Sequence, residues 1–432
     1  MMKISNRMGM LQLLFVAAAV VVLPGCMFGS TTLRNSRTHY NKALHRTARQ
    51  EMLLNLVRMK YRESVEFVKI PSITGQHTYG AGLGMGFSTG HGRSYSPSFT
   101  AQSKPTIVYQ PEQAQEFNRR LLTPISLVTV DLLTSKGWAA DRVMRLAVRN
   151  INDVDNATSA GGPTPEMKPD FEEFREFVQT LRDLQVAREV EITYEKLAAD
   201  KPKQISAAID PKQVDGEDYL LAAQKGFEFR RSEDGRTLSL WTAPKSSNEL
   251  VLRVSKKAHS GSQMERIRNI LSLKLSAEAK KDDTNYYYRI KPDNFGQLNR
   301  RADKTKRVDE RETFSDLVVS TRSLKEMMFY ISHGIVTPQK HLNDGLIMRT
   351  MIPLVDGTEE EFDWRDMTGD LFQVHFSKLP PKQASVSVHY RGHYFYISDS
   401  DLNSKATFNL MLELFNLEIR AGGGAQIPLL AI

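Results

Sequence analysis

At 432 residues the chain is longer than one hydrophobic core usually organises, so two or three domains are expected. It holds a single cysteine, which excludes a disulfide within the chain and leaves packing to hold the fold. The formal net charge of +8 gives a basic surface, and outside the cytosol such a surface meets anionic lipid headgroups or cell-wall polymers rather than nucleic acid.

The N-terminus supplies that setting. Lys3 and Arg7 form a basic start, an apolar run follows from Leu11 to Leu23, and Gly25 precedes the sole cysteine, Cys26. The run is too short to span a bilayer, which takes about 20 residues. A buried N-terminal helix would show a polar face, and Leu13 to Leu23 has none. Leu23-Pro24-Gly25-Cys26 resembles the lipobox of bacterial lipoprotein precursors, with Pro24 where a small unrestricted residue is more usual. The resemblance implies that residues 1–25 are a signal peptide, that the Cys26 thiol takes a diacylglyceryl group, and that the freed amine is acylated, as by palmitate. Each buried methylene contributes about 0.8 kcal/mol, so two or three acyl chains would make the membrane anchor permanent. Met27 is not the Asp that resembles an inner-membrane retention signal, which points to the periplasmic face of the outer membrane.

Residues 26–38 read as a lipid-anchored tether, short and polar from Ser30 to Thr38. A helix is predicted from about Tyr40 to Tyr61, because Leu44, Ala48, Met52, Leu56 and Met59 recur at spacings of four and three. Lys42, Arg46, Arg49, Arg58 and Lys60 make it basic, which suits a helix lying on the membrane. Leu53, Leu54 and Val57 widen the apolar stripe and favour packing on its own domain instead. Val65, Phe67 and Val68 open a strand that ends near Pro71.

From 75 to 103 the composition changes. Tyr79, Ala81, Leu83, Met85 and Phe87 alternate with Gly80, Gly82, Gly84 and Gly86, a period of two that predicts a strand with one apolar and one bare face. The G-x-G-x-x-G dinucleotide loop fails here, since Met85 and Phe87 stand where its third glycine belongs. Gly86-Phe87-Ser88-Thr89-Gly90 matches the G-x-S-x-G nucleophile elbow of serine hydrolases by letter. That elbow needs a helix directly after the serine, whereas Gly90, His91, Gly92 and Pro97 follow Ser88. A bare face lets another backbone approach, from the same chain or from a neighbouring subunit; a Gly-rich surface loop is the plainer alternative. The candidate partner strand, Tyr95 to Tyr109, is interrupted by Pro97 and Pro105.

Thr106 to Tyr109 reads as a short strand and Pro111 to Leu122 as a helix, after which Pro124 breaks the chain. Helices follow over Leu127 to Ser135 and Asp141 to Asn150. Arg142, Arg145 and Arg149 share one face of the second, either a solvated basic face or a site for an acidic partner. Asn152 to Lys168, rich in Asn, Gly, Pro and Thr, reads as a linker, which bounds an N-terminal α/β region (39–155) with a linker at 156–168.

A middle α+β domain (169–298) opens with a helix from Pro169 to about Glu189, with Glu172, Glu173 and Glu176 favouring its N-terminal end. Strands are predicted over Val190 to Tyr194, Leu250 to Val254 and Asn285 to Ile290, and helices over Asp218 to Gln224 and Met264 to Leu275. Phe227 to Arg231 and Arg236 to Trp241 flank Glu233-Asp234-Gly235, a hairpin signal. The mixed-charge run Asn299 to Arg311 marks a charged linker (299–312).

The C-terminal α+β domain (313–432) carries a strand at Leu317 to Thr321, a helix at Leu324 to Ser332 and a strand at Phe372 to Phe376. If Arg391-Gly392 is a two-residue turn, Val386, Val388 and Tyr390 face Ile397, Phe395 and His393. A last helix, about Ser404 to Leu417, covers the apolar side with Phe408, Met411, Leu412 and Phe415. His389 and His393 are four apart, but on a hairpin they take opposite faces, which argues against a metal site.

Several of these words together resemble an uncharacterised family of Gram-negative bacterial envelope lipoproteins: Tyr40 to Ile73 with its Met52-Leu53-Leu54-Asn55-Leu56-Val57-Arg58 core, Leu121-Leu122-Thr123-Pro124-Ile125 followed by Gly137-Trp138, and Tyr390-Arg391-Gly392 through Ser404-Lys405 to Leu414-Phe415. The resemblance implies an envelope setting and supplies no activity, substrate, cofactor or catalytic residue. The fold class expected is multi-domain α+β, with mixed helices and antiparallel hairpins behind the signal peptide. The function expected is a lipid-anchored envelope protein that binds or scaffolds protein or cell-wall partners and forms a homo-oligomer in one variant of the reading. The alternatives are a subunit of an oligomeric envelope channel using the Gly-alternating strand and, last, a hydrolase using Ser88. The sequence contains no catalytic constellation of recognisable spacing.

Overall fold

The computed structural model describes residues 25–74, 77–87, 93–104, 106–111, 115–196, 204–232, 235–242, 248–274, 284–293, 314–354 and 356–420. The architecture is α+β. In the first part of the chain, α1 (Gly25–Lys60) leads to β1 (Val68–Thr74), β2 (His77–Phe87), β3 (Arg93–Ser103) and β4 (Thr106–Pro111), then α2 (Gln115–Leu122), α3 (Leu127–Ser135) and α4 (Ala140–Ala147). Next come β5 (Val148–Ile151), β6 (Val154–Asp155), α5 (Glu172–Val186), β7 (Val190–Lys196), α6 (Gly216–Gln224), β8 (Phe227–Arg231), β9 (Leu238–Thr242), β10 (Asn248–Ser255), α7 (Ser262–Ile270) and β11 (Asn285–Pro292). The last part holds β12 (Leu317–Thr321), α8 (Leu324–Ser332), β13 (Met351–Pro353), β14 (Glu359–Glu361), β15 (His375–Ser377), β16 (Ala384–Tyr390), β17 (His393–Ser398) and α9 (Leu402–Phe415).

Two large apolar cores organise these elements among the described residues. One lies on a six-stranded sheet of order β6-β5-β12-β11-β10-β7, antiparallel except where β11 meets β12. Phe174, Phe177, Val178, Leu181 and Leu184 of α5 repeat at three and four, so one helical face meets Leu252, Val254, Tyr288, Leu317 and Val319 of the sheet. Each such side chain stabilises the fold by about 1.5–3 kcal/mol through loss of apolar surface to water.

The other core gathers the C-terminal end of α1, the helices α2, α3, α4, α8 and α9, and the small sheet β15-β17-β16. The β16–β17 register is Val386↔Ile397, Val388↔Phe395 and Tyr390↔His393. Arg391 (φ 45°) and Gly392 (φ 78°) make its turn, both in the left-handed region that two-residue hairpins require. Phe408 and Met411 of α9 are fully buried in the same core. It is α1, however, that lies along the outer strand: Arg49 Nη2 donates to Ser385 Oγ (2.8 Å) and Gln50 Nε2 to the Ser387 carbonyl (3.2 Å).

Several expectations are corrected. The tether expected at 26–38 is helical, because α1 runs unbroken from Gly25. The helix expected to reach Asn150 stops at Ala147, and Arg149 belongs to β5. Its end is closed from outside: Asn156 Nδ2 donates to the carbonyls of Arg145 (2.9 Å) and Val148 (2.7 Å), and the buried Arg322 guanidinium donates to those of Arg145 and Leu146. These bonds satisfy carbonyls that a helix C-terminus leaves orphaned.

The stretch 152–168, linker-like in composition, is built into the fold. Asn152 is fully buried, its Nδ2 donating to the Leu271 carbonyl and its Oδ1 accepting from Val318 N–H (both 2.9 Å). The regions expected as separate N-terminal and C-terminal domains both contribute to one core, with members between 52 and 171 and between 324 and 414, while members between 144 and 319 form the other; residues 299–312 themselves lie outside the described residues. Two smaller shifts follow from local geometry. The helix from Met264 ends at Ile270, before Ser272 at φ 49°, and the strand expected at Phe372 to Phe376 is His375–Ser377, with Phe372 fully buried ahead of it.

Candidate anchoring and assembly site

The first part of this site is a helical stalk. The 36 residues of α1 span about 54 Å at 1.5 Å per residue. Burial begins only near Met52; residues 37–48 stand in solvent except Tyr40, which is half-buried. The apolar face read from the sequence is therefore used in part: Met52, Leu56 and Met59 are in the core, while Leu44 is exposed. Cys26 occupies the second position of this helix, so any group attached there is joined to the core by continuous helix.

The second part is a long two-stranded ribbon. Arg62, at φ 61°, reverses the chain after α1. Asn55 then grips the returning backbone: its Nδ2 donates to the Glu66 carbonyl (2.6 Å) and its Oδ1 accepts from Glu66 N–H (3.1 Å). Two residues on, Val68 N–H donates to Glu51 Oε1 (2.7 Å), and burial raises the pKa of that carboxyl against the lowering effect of the bond. Residue 66 beside 55 and 68 beside 51 mean that the chain runs back along the helix, in the direction of Cys26.

Beyond Val68, β1 pairs with β4, and further out β2 pairs with β3 in register from His77↔Ser103 to Phe87↔Arg93. The register passes through Leu83↔Pro97 without a shift, so Pro97 does not interrupt the strand as its identity suggests. Every glycine of β2 faces a hydroxyl residue of β3: Gly80↔Thr100, Gly82↔Ser98, Gly84↔Ser96 and Gly86↔Ser94. The other register positions pair Tyr79 with Ala101, Ala81 with Phe99 and Met85 with Tyr95. Among the described residues neither edge of β2–β3 pairs with a further strand.

At the ribbon's root, a cavity of about 650 Å³ is lined by Met59, Glu63, Phe67, Val68, Pro111, Phe117, Lys325 and Phe329. Phe67 stacks on Phe415 of α9 at 4.6 Å between centroids, which ties the root to the last helix. Beside it sits a polar-aromatic cluster. Tyr61 Oη and His341 Nδ1 share a 2.6 Å hydrogen bond, and His341 meets His393 edge to face at 5.0 Å. Arg391 lies over the Tyr61 ring and is paired with Glu63 at 2.8 Å. Burial, then the neighbouring His393 and Arg391, lowers the His341 pKa. Burial, then the neighbouring Tyr390, raises that of Tyr61. The pair can share one proton.

The residues singled out from the sequence fall as follows. Cys26 heads the stalk. Ser88 lies outside the described residues; the chain resumes at Arg93 as a strand. His389 and His393 occupy opposite faces of β16–β17, with His389 against Tyr394 and His393 against His341 and Phe376. Among the described residues no group of three His, Cys, Asp or Glu could hold a metal ion. Arg142 and Arg145 are not a solvated face. Arg142 donates to the Asn403 carbonyl and Thr407 Oγ1 (both 2.7 Å), and Arg145 makes a two-pronged bond to Asp370 (2.7 and 2.8 Å).

Asn55, Glu51 and the Tyr61–His341 pair carried no signal in the sequence, because their roles depend on partners that only the fold supplies. Comparison with protein-family models, with curated proteins and with solved structures found no match.

Proposed function

We propose that this protein is a lipid-anchored component of the bacterial cell envelope that binds or scaffolds other envelope components from the periplasmic face of the outer membrane. The observation that carries the reading is the unbroken helix from Cys26 into the core at Met52. A flexible tether would let the body wander; a helix holds it at a set distance from the anchor, about 39 Å for the 26 steps from Cys26 to Met52. The apolar run ending at the sole cysteine supports the lipid, and the likeness to envelope lipoproteins supports the compartment. Membrane fractionation with acyl labelling tests it. Wild-type protein should be labelled and membrane-bound, and Cys26→Ala should be unlabelled and either released or left as an uncleaved precursor. An unlabelled wild type that still starts at Met1 would sink the reading.

The channel-subunit alternative gains from one observation, since the ribbon supplies the equal-length partner strand it requires. The hydrolase alternative loses ground, because a strand rather than a helix follows Ser88 at Arg93.

A further inference from the structure

We propose that the β2–β3 hairpin is a membrane-spanning element, and that several copies of this chain close their hairpins into one β-barrel with a water-filled lumen. The inference rests on the lipid-anchor reading and deepens it by naming the partner, which is a second copy of this chain, and the surface that meets it.

The first support is length. Each strand has eleven residues, and a tilted membrane-spanning strand takes about 9–11. The second is composition by face. Alternation puts Tyr79, Ala81, Leu83, Met85 and Phe87 on one face with Tyr95, Pro97, Phe99 and Ala101, and His77, Ser103 and Arg93 stand at the two ends of that face. The opposite face holds Thr78, the four glycines, Ser94, Ser96, Ser98, Thr100 and Gln102. An apolar face outward and a small polar face inward is the pattern of an outer-membrane barrel strand. A quarter of the whole chain is charged (25%), yet the two strands together contain one charged residue, Arg93, at the last register pair. A water-exposed arm of ordinary composition would carry several.

The third support is position. Glu66 lies beside Asn55 and Val68 beside Glu51, so the chain enters the ribbon running back along the helix in the direction of Cys26, where acyl chains would be attached. The fourth is stability. An isolated two-stranded hairpin is marginal in water, and each strand glycine weakens it further relative to alanine. The sequence is poorly suited to water and well suited to lipid on one side.

Closure follows from the backbone. In lipid every N–H and C=O must be satisfied, so the two open edges of each hairpin require neighbours. Among the described residues this chain offers no second long strand to cover them. Copies of the same hairpin do, and because the smallest outer-membrane barrels have about eight strands, about four copies or more are needed. The glycine, serine and threonine face then lines the lumen.

The test uses the full-length lipidated protein, in which an introduced cysteine is the only free thiol, reconstituted in phosphatidylcholine–phosphatidylglycerol vesicles. A polarity-sensitive thiol dye is placed singly at Ala81→Cys, Leu83→Cys and Met85→Cys, and at Gly82→Cys, Gly84→Cys, Ser96→Cys and Ser98→Cys. The serine positions probe the lumen face without disturbing a glycine. The expected result is a two-residue period: blue-shifted emission quenched by spin-labelled lipid at the first set, and water-like emission quenched by iodide at the second. The mass of the detergent-extracted particle should be at least about four times that of the monomer. Water-like emission at every position, or a monomeric particle, would overturn the inference, including the case in which the arm binds a different protein or a cell-wall polymer instead. Acyl labelling of the same samples is read separately, so a labelled protein with a uniformly wet hairpin rejects the barrel and leaves the anchor standing.

Discussion

Asn55→Ala tests whether the direction of the ribbon is set by the grip on Glu66. The Asn55 side chain is almost fully buried and makes two bonds to one residue's backbone, at 2.6 and 3.1 Å, with a third from Arg58 Nη1 at 3.2 Å. A typical intramolecular hydrogen bond contributes about 0.5–1.5 kcal/mol net, and leaving a buried partner unsatisfied costs about 1–3. Because Glu66 is exposed, water can replace part of what is lost, which places the two backbone bonds together at about 2 kcal/mol. Urea unfolding should show that loss, and amide exchange at Glu66 and Val68 should speed up together, since Val68 N–H is held by Glu51 one helical turn away. Asn55→Asp keeps the acceptor for Glu66 N–H but turns a second oxygen towards the Glu66 carbonyl, so it should recover little. A stability change under about 0.5 kcal/mol in Asn55→Ala, with unchanged exchange at both amides, would refute the argument.

Phe408→Ala, at a fully buried ring that stacks with Phe372 and lies under Arg49, should cost about 3–5 kcal/mol in the same assay; a cost under about 1 kcal/mol would mean that the last helix does not seal this core. His333 is buried against Trp364 (4.0 Å between rings), and burial, then the neighbouring Lys60, holds its pKa well below the ordinary value. The unfolded state therefore binds the extra proton, so stability should fall as pH drops below about 6.5, and His333→Phe should flatten that slope; an identical slope in both proteins would assign it elsewhere. Lys60 is buried with its pKa pushed down to about 8, chiefly by desolvation, with Glu361 opposing. Keeping it charged at neutral pH costs on the order of 3 kcal/mol, so Lys60→Met should raise the unfolding midpoint, and a lowered midpoint would show that the ammonium makes compensating bonds.

Local patterns in the sequence were sufficient for elements whose structure depends on near neighbours. The helix read from Leu324 begins there, and the structure shows Ser323 and Glu326 forming its reciprocal cap. Arg391-Gly392 supplies two positive φ values, and the register of Val386, Val388 and Tyr390 follows from it. The alternation at Tyr79 to Phe87 was legible as a strand because a period of two needs no tertiary information.

The misreadings have one cause. Asn152 and Asn156 look like linker residues because asparagine breaks regular structure by bonding backbone groups, and here that same capacity is turned inward to close α4 and bridge to Leu271 and Val318. Arg145 looks like a solvated cation until Asp370, far along the chain, is brought to 2.7 Å. Pro97 looks like an interruption because sequence shows only the missing donor, whereas pairing shows that the register survives it. Periodicity and capping are encoded within a few residues of each other; burial of a polar group, and the common core of residues 52–171 and 324–414, depend on partners chosen by the whole fold.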